Sequence, residues 1–273
     1  MMKRVSILLL LLLTACGKSD DQVWLGYGEG DNAFIAAPQP GWVSSLHVER
    51  GALVHRGDVL FTLDDTAQIA ARDQAIASLE TAKASLTQEQ ANLAYAKRQL
   101  ERQTGLARAN AGTPTNLDLA RSNYQQSEAR IAQLQSQIAQ TDASLAGAAY
   151  SLTQRNVVAQ TEGRVQDVYF RPGEYVPAST PVLSILPPKN IYVRFFVPET
   201  QFSKVHIGQK VRVTCDGCKP VDATISFIAQ QEEFTPPVIF SEDSRAKLVF
   251  KLEARVPGGM KLHPGQPVQV RPL

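Results

Sequence analysis

Glycine and proline are missing from a long central part of the chain. No glycine occurs between Gly57 and Gly105, and no proline between Pro40 and Pro114. Both residues interrupt helices, so their absence leaves this stretch free to run as one. Cysteine is scarce as well, with three in 273 residues, which excludes a disulfide-dense scaffold. Long apolar runs are lacking: Val5 to Leu13 is about nine residues, where a membrane-spanning helix needs about twenty. Charge of either sign is not in excess, since 28 Lys and Arg against 26 Asp and Glu leave +2. No cluster of Arg and Lys with interleaved aromatics is present, which argues against a nucleic-acid partner. No Ser-His-Asp set, paired acids in a pocket-forming context or phosphate loop is found. No catalytic residue is therefore assigned, and an enzyme is not expected.

What fills the breaker-free stretch is a heptad pattern. Leu79, Leu86, Leu93 and Leu100 recur every seventh residue, with Ile69, Ile76, Lys83, Gln90 and Lys97 read as the complementary position. After a break the beat resumes as Leu117, Tyr124, Ile131, Ile138, Leu145 and Leu152. Spacing of this kind marks a coiled coil. The break holds Gly105, Gly112 and Thr113-Pro114-Thr115-Asn116. Thr113 is a good N-cap and Pro114 suits the first helical position. The spacing predicts two antiparallel helices of about forty residues, about 60 Å long at 1.5 Å per residue, reversing near residues 110–111. Asp65 or Thr66 is expected to cap the first helix.

The N-terminus carries Lys3 and Arg4, the short apolar run, and Leu13-Thr14-Ala15-Cys16. That pattern resembles a bacterial lipoprotein signal, in which Cys16 is acylated and becomes the first mature residue; an ordinary secretory signal is the alternative. Either places the chain outside the cytoplasm. There the remaining pair, Cys215 and Cys218, reads first as a disulfide across a tight turn. Zinc would need four ligands, with His206 and His263 the only late candidates. A redox site would want its first cysteine at a helix N-terminus, whereas Val211 to Val213 reads as a strand. His47 and His55 read as surface residues.

Strand-like segments flank the helical stretch, and they repeat. At a constant offset of 122, Gly41 matches Gly163, Val43 matches Val165, Gly51 matches Gly173, Val54 matches Val176 and Phe61 matches Leu183. Two such halves should pair, because neither alone can bury its apolar face. Beyond Pro187-Pro188, five short strands around 191–197, 209–215, 222–228, 247–256 and 267–271 suggest a small β-barrel. Gly208 to Val213 is echoed by Gly265 to Val270. The apolar stretch Phe234 to Phe240 is read as a lid over the barrel or a partner contact. Gly26, Gly28 and Gly30 make 16–32 look like a flexible tether.

The whole arrangement resembles the periplasmic adaptors, also called membrane fusion or haemolysin-D-like secretion proteins. Gly41-x-Val43…Gly51…Gly57-Asp58-Val59-Leu60 and Gly163-x-Val165…Pro172-Gly173…Val176…Pro181-Val182-Leu183 resemble a biotinyl/lipoyl domain split in two. The resemblance implies a mixed, elongated α+β chain. Its expected parts are a signal peptide 1–15, tether 16–32, lipoyl-like halves 33–64 and 157–187, hairpin 65–156 and β-barrel 188–273. It implies no cofactor, because the hairpin replaces the turn that carries the modified lysine. At the hairpin tip, adaptors of tripartite pumps carry Arg-x₃-Leu-x₆-Ser to engage the outer-membrane channel; here Arg102, Leu106 and Thr113 match, with Thr for Ser. The implied partners are an inner-membrane exporter, an outer-membrane channel, further copies in a ring of expected size six, and a membrane reached through the Cys16 lipid. Little chain precedes Ala33 or follows the last barrel strand, leaving no room for the membrane-proximal domain of resistance-nodulation adaptors. The expected exporter is therefore of ABC type. The alternatives are a proton-driven exporter or a structural coiled-coil lipoprotein with no transporter.

Overall fold

The computed structural model describes residues 22–234 and 248–273. They build a β-sandwich, a helical hairpin inserted into it, and a closed β-barrel.

The sandwich is the product of the internal repeat. Its first half supplies β2 (Ala33–Ala36), β3 (Gly41–Leu46), β4 (Leu53–Val54) and β5 (Val59–Leu63), numbering the strand nearest the N-terminus, Trp24–Gly30, as β1. The second half supplies β6 (Asn156–Val158), β7 (Gly163–Val168), β8 (Tyr175–Val176) and β9 (Pro181–Leu186). They form two four-stranded sheets, ordered β2-β9-β7-β4 and β6-β5-β3-β8. Each half thus lends two strands to the other's sheet, β2 and β4 flanking β9-β7, and β6 and β8 flanking β5-β3. Gly41 pairs with Val176 and Trp42 with Tyr175; at the same offset, Gly163 pairs with Val54 and Arg164 with Leu53.

The equivalence reaches single hydrogen bonds. Gly51 N–H donates to the Val165 carbonyl at 2.9 Å, and Gly173 N–H to the Val43 carbonyl at 2.8 Å. Gly57 N–H meets the Ala159 carbonyl and Ser179 N–H the Ala37 carbonyl, both at 2.8 Å. Gly57 and Ser179 are themselves equivalent, and both adopt positive φ, 95° and 62°. The repeat therefore begins earlier than the glycines of 41 and 163 suggest. Strands β2 and β6 are also equivalent, and Ala37 and Ala159 are both buried just beyond them. Between the sheets lie Val43, Val54, Leu60 and Phe61, facing Val165, Val176, Val182 and Leu183.

The barrel closes in the order β1-β10-β13-β12-β11-β14, where β10 is Ile191–Pro198, β11 Lys210–Thr214, β12 Val221–Phe234, β13 Leu248–Arg255 and β14 Pro267–Pro272. Its sixth strand, β1, comes from the span read as a tether. That reading is corrected for the described residues. Its glycines are not linker chemistry but space for close approach. A Cβ at Gly28 would lie 2.8 Å from the His263 carbonyl oxygen, and one at Gly30 would lie 2.7 Å from the Leu186 side chain. Alternate glycines along one strand let it pass tightly across its neighbours. Trp24 opens the strand, 2% exposed, stacked on Phe195 and donating from Nε1 to Gln201 Oε1 at 2.7 Å. That Gln201 sits on α3 (Glu199–Phe202), a single turn covering this end of the barrel core.

The echo of 208 in 265 is a repeated turn. Gly208 and Gly265 adopt φ of 89° and 84°. In each turn the following Gln accepts from a His backbone N–H: Gln209 from His206, Gln266 from His263. The strands that follow, β11 and β14, pair with each other. The barrel meets the sandwich through two adjacent crossings tied by Asp31 N–H to the Asn190 carbonyl, 3.2 Å, and Asn190 Nδ2 to the Asp31 carbonyl, 2.8 Å. Residues 235–240 of the expected lid lie outside the described residues.

Candidate functional site at the hairpin tip

The hairpin consists of α1 (Thr66–Arg108) and α2 (Pro114–Thr153), 43 and 40 residues long. Their facing residues follow a 3,4 spacing, but on α1 the spacing differs from the expected one. Leu79, Leu86 and Leu93 turn inward with Ala82, Glu89 and Ala96, whereas Ile69, Ile76, Lys83, Gln90 and Lys97 are exposed. The inward positions therefore lie three residues after each leucine, not four. Two of these three positions are alanines, Ala82 and Ala96, and their small side chains let the helices approach closely there. On α2 the expected set holds, with Leu117, Tyr124, Ile131, Ile138, Leu145 and Leu152 turned inward. Among the described residues the two helices bury only Leu79, Ala82, Ala96 and Ala120.

The base is fastened by residues the sequence pattern did not single out. Asp65 holds the N-cap position of α1, as expected, but its side chain makes no capping bond; the neighbouring Asp64 does, its Oδ1 accepting from Thr66 N at 3.1 Å and from Thr66 Oγ1 at 2.7 Å. These bonds hold the Asp64 carboxyl below its ordinary pKa. Where α2 returns, Arg155 is buried, and its Nη1 donates to the Pro40 carbonyl at 2.9 Å. A Cβ on Gly41 would lie 2.6 Å from that nitrogen, so Gly41 is the gap through which the guanidinium reaches.

At the far end α1 closes in a Schellman arrangement. Ala111 N–H donates to the Leu106 carbonyl at 2.8 Å and Asn110 N–H to the Ala107 carbonyl at 3.1 Å. Asn110 takes the left-handed conformation, φ 54°, that this motif requires. Gly105, read as part of the break, lies within α1; the reversal belongs to Asn110. Thr113 has extended backbone, and its Oγ1 accepts from Asn116 N at 3.3 Å, starting α2 with Pro114 in its first turn.

The tip residues sit as follows. Arg102 and Leu106 stand one turn apart on α1, a spacing that puts both on one face. Leu106 is 39% exposed, and Gly112, next to Thr113, packs near it: a Cβ there would lie 3.1 Å from the Leu106 Cβ. Arg102 is exposed and makes no hydrogen bond or ion pair within the described residues. Leu119, 60% exposed on the first turns of α2, adds a second apolar side chain near the tip. Its signal was available: an apolar residue out of step with the heptad beat. The site can thus offer an apolar knob and a guanidinium fork to a protein surface.

The other candidates lie elsewhere. Cys215 and Cys218 are joined in the turn after β11, Cα atoms 5.4 Å apart. Among the described residues no group of three or more His, Cys, Asp or Glu could hold a metal ion. Cys16 lies outside the described residues. On the barrel, Arg194 pairs with Glu29 at 2.6 Å and with Glu253 at 3.0 Å, joining β1, β10 and β13. Burial disfavours its charge, but the bonds to Glu253 and Tyr27 and the charge of Glu29 more than offset that and raise its pKa.

A split sandwich, an inserted hairpin and a closed barrel in this order are the fold of the periplasmic adaptor, or membrane fusion, proteins. MacA from Actinobacillus actinomycetemcomitans superposes with a TM-score of 0.72 at 19% identity, covering 92% of this chain and 78% of that one. The membrane fusion protein Spr0693 from Streptococcus pneumoniae R6 superposes with a TM-score of 0.60 at 17% identity, covering 92% and 98%. In sequence, a UPF0194 membrane protein of Yersinia pseudotuberculosis serotype IB (strain PB1/+) is 30% identical over 85% of this chain and 83% of its own length. A UPF0194 membrane protein of Yersinia enterocolitica is 27% identical over 98% and 97%. The chain belongs to the UPF0194 membrane protein family. No family model matches it.

Proposed function

We propose that this chain is a non-enzymatic periplasmic adaptor of a tripartite export pump. Copies stand side by side, six to a ring, around the export path. Their barrels rest on an inner-membrane exporter of ABC type, and their hairpin tips meet an outer-membrane channel. Cys16 carries the lipid that holds the chain at the inner membrane, and the Cys215–Cys218 disulfide stiffens the barrel. The observation that carries this reading is the hairpin itself. Two helices of 43 and 40 residues bury only Leu79, Ala82, Ala96 and Ala120, leave from one sandwich strand and return to the next. Such an arm adds little to a core, so its use lies at its tip and along its sides. Every strand among the described residues belongs to the sandwich or the barrel, which supports the barrel end as the surface offered to the exporter.

The test is purification of the tagged full-length chain from solubilised membranes after in-cell cross-linking. The expected partners are an ATPase with its permease and an outer-membrane channel. In Leu106→Asp, which forces a charge into the tip contact, the channel is lost while the exporter remains. Recovery of neither partner by the unaltered chain, or undiminished channel recovery by Leu106→Asp, overturns the proposal.

A further inference from the structure

The two sheets of the sandwich have equivalent backbones but opposite outward chemistry. On one face Trp42 and Tyr175, paired across β3 and β8, stand edge to face with ring centroids 5.4 Å apart. They are 56% and 50% exposed. At the equivalent place on the other face, across β7 and β4, stand Arg164 and Leu53. Leu53 is 62% exposed, and Arg164 is exposed and steadied by one bond from Nη1 to the Gly51 carbonyl, 2.6 Å. Val43 and Val165, the next residues along β3 and β7, point into the core. Side chains alternate along a strand, so Trp42 and Arg164 project from opposite sides of the sandwich.

We propose that these two faces are complementary and meet between neighbouring copies, with the Trp42–Tyr175 face of one against the Leu53–Arg164 face of the next. The inference rests on the ring proposed above and names its contact. Adjacent subunits in a ring touch through two different surfaces, so a ring-former needs one patch on each flank. Trp, Tyr and Arg are the residues enriched where such contacts concentrate their energy. A guanidinium stacks well on Trp, the best of the aromatic faces for a cation, and Leu53 offers an apolar partner to Tyr175. The repeat supplies the two flanks from one backbone design, and divergence at positions 42, 53, 164 and 175 makes them unlike.

The test is in-cell cysteine cross-linking of the full chain carrying Tyr175→Cys and Leu53→Cys together, with each single variant alongside. The double variant is expected to give a ladder of dimers, trimers and higher species under mild oxidation, while both single variants remain monomeric. Wild-type cells treated with an amine-reactive cross-linker report the ring independently. An amine ladder without a cysteine ladder overturns the flank assignment and leaves the ring standing. Absence of both ladders overturns the ring as well. Dimers from Tyr175→Cys alone, or its cross-linking to a different protein, also overturn the assignment, because the aromatic face then has another occupant.

Discussion

The hairpin and the β-sandwich are built on opposite economies. The sandwich has twelve buried apolar residues in its core, and five of them on β5 and β9 have no exposed surface: Leu60, Phe61, Val182, Leu183 and Ile185. The two helices are far longer and bury four residues, three of them alanines and none fully enclosed. Stability is concentrated in the β body, where each side chain has neighbours on all sides. In the hairpin each turn is held by its own hydrogen bonds and by one layer of facing side chains. A region built this way tolerates surface change and opens locally, which suits the role proposed for it, an arm that makes its contact at its end.

Truncation on each side of that contrast should give the largest difference. Phe61→Ala leaves a cavity in the sandwich and is expected to cost about 3–5 kcal/mol of global stability in urea unfolding. Leu79→Ala, at a site where solvent reaches the rim, is expected near the lower end of the roughly 2–5 kcal/mol range for such truncations. Its loss should be local: hydrogen exchange speeds up along α1 and α2 while the β body keeps its protection. Equal, global loss from both variants would erase the distinction between arm and body. A smaller effect is expected from Thr113→Ala, which removes the N-cap of α2. It should cost about 1 kcal/mol, confined by hydrogen exchange to the first turn after the reversal.

Much of this architecture was legible in the sequence because the strong signals are long and redundant. The offset of 122 between Gly41 and Gly163 carries strand lengths, turn glycines and even a bulge, and the structure reproduces it pair by pair. The heptad of α2 was equally clear, since leucines, isoleucines and Tyr124 mark it at every seventh residue. On α1 the leucines marked one inward row, but Ala82 and Ala96 gave no signal against the larger Ile69 and Ile76 on the outside. Hydrophobicity ranks residues by size, whereas close helix packing selects the small ones. Strand β1 was missed for a related reason. Gly26, Gly28 and Gly30 read as flexibility when alone in sequence, and only their close neighbours His263 and Leu186 show them to be fitted. Asn110 was hidden because the left-handed cap depends on where α1 ends, and the nearby glycines drew the eye.

Arg102 and Leu106 share one face, and Thr113 starts the returning helix. The central claim is that this end of the arm touches an outer-membrane channel. A photoreactive side chain placed at position 106 of the full-length chain, with a second variant carrying it at exposed position 90 along the arm, tests this in living cells. The account predicts light-dependent cross-links from position 106 to an outer-membrane channel protein and none to it from position 90. Cross-links from position 106 only to inner-membrane proteins, or the same channel captured equally from both positions, would contradict it.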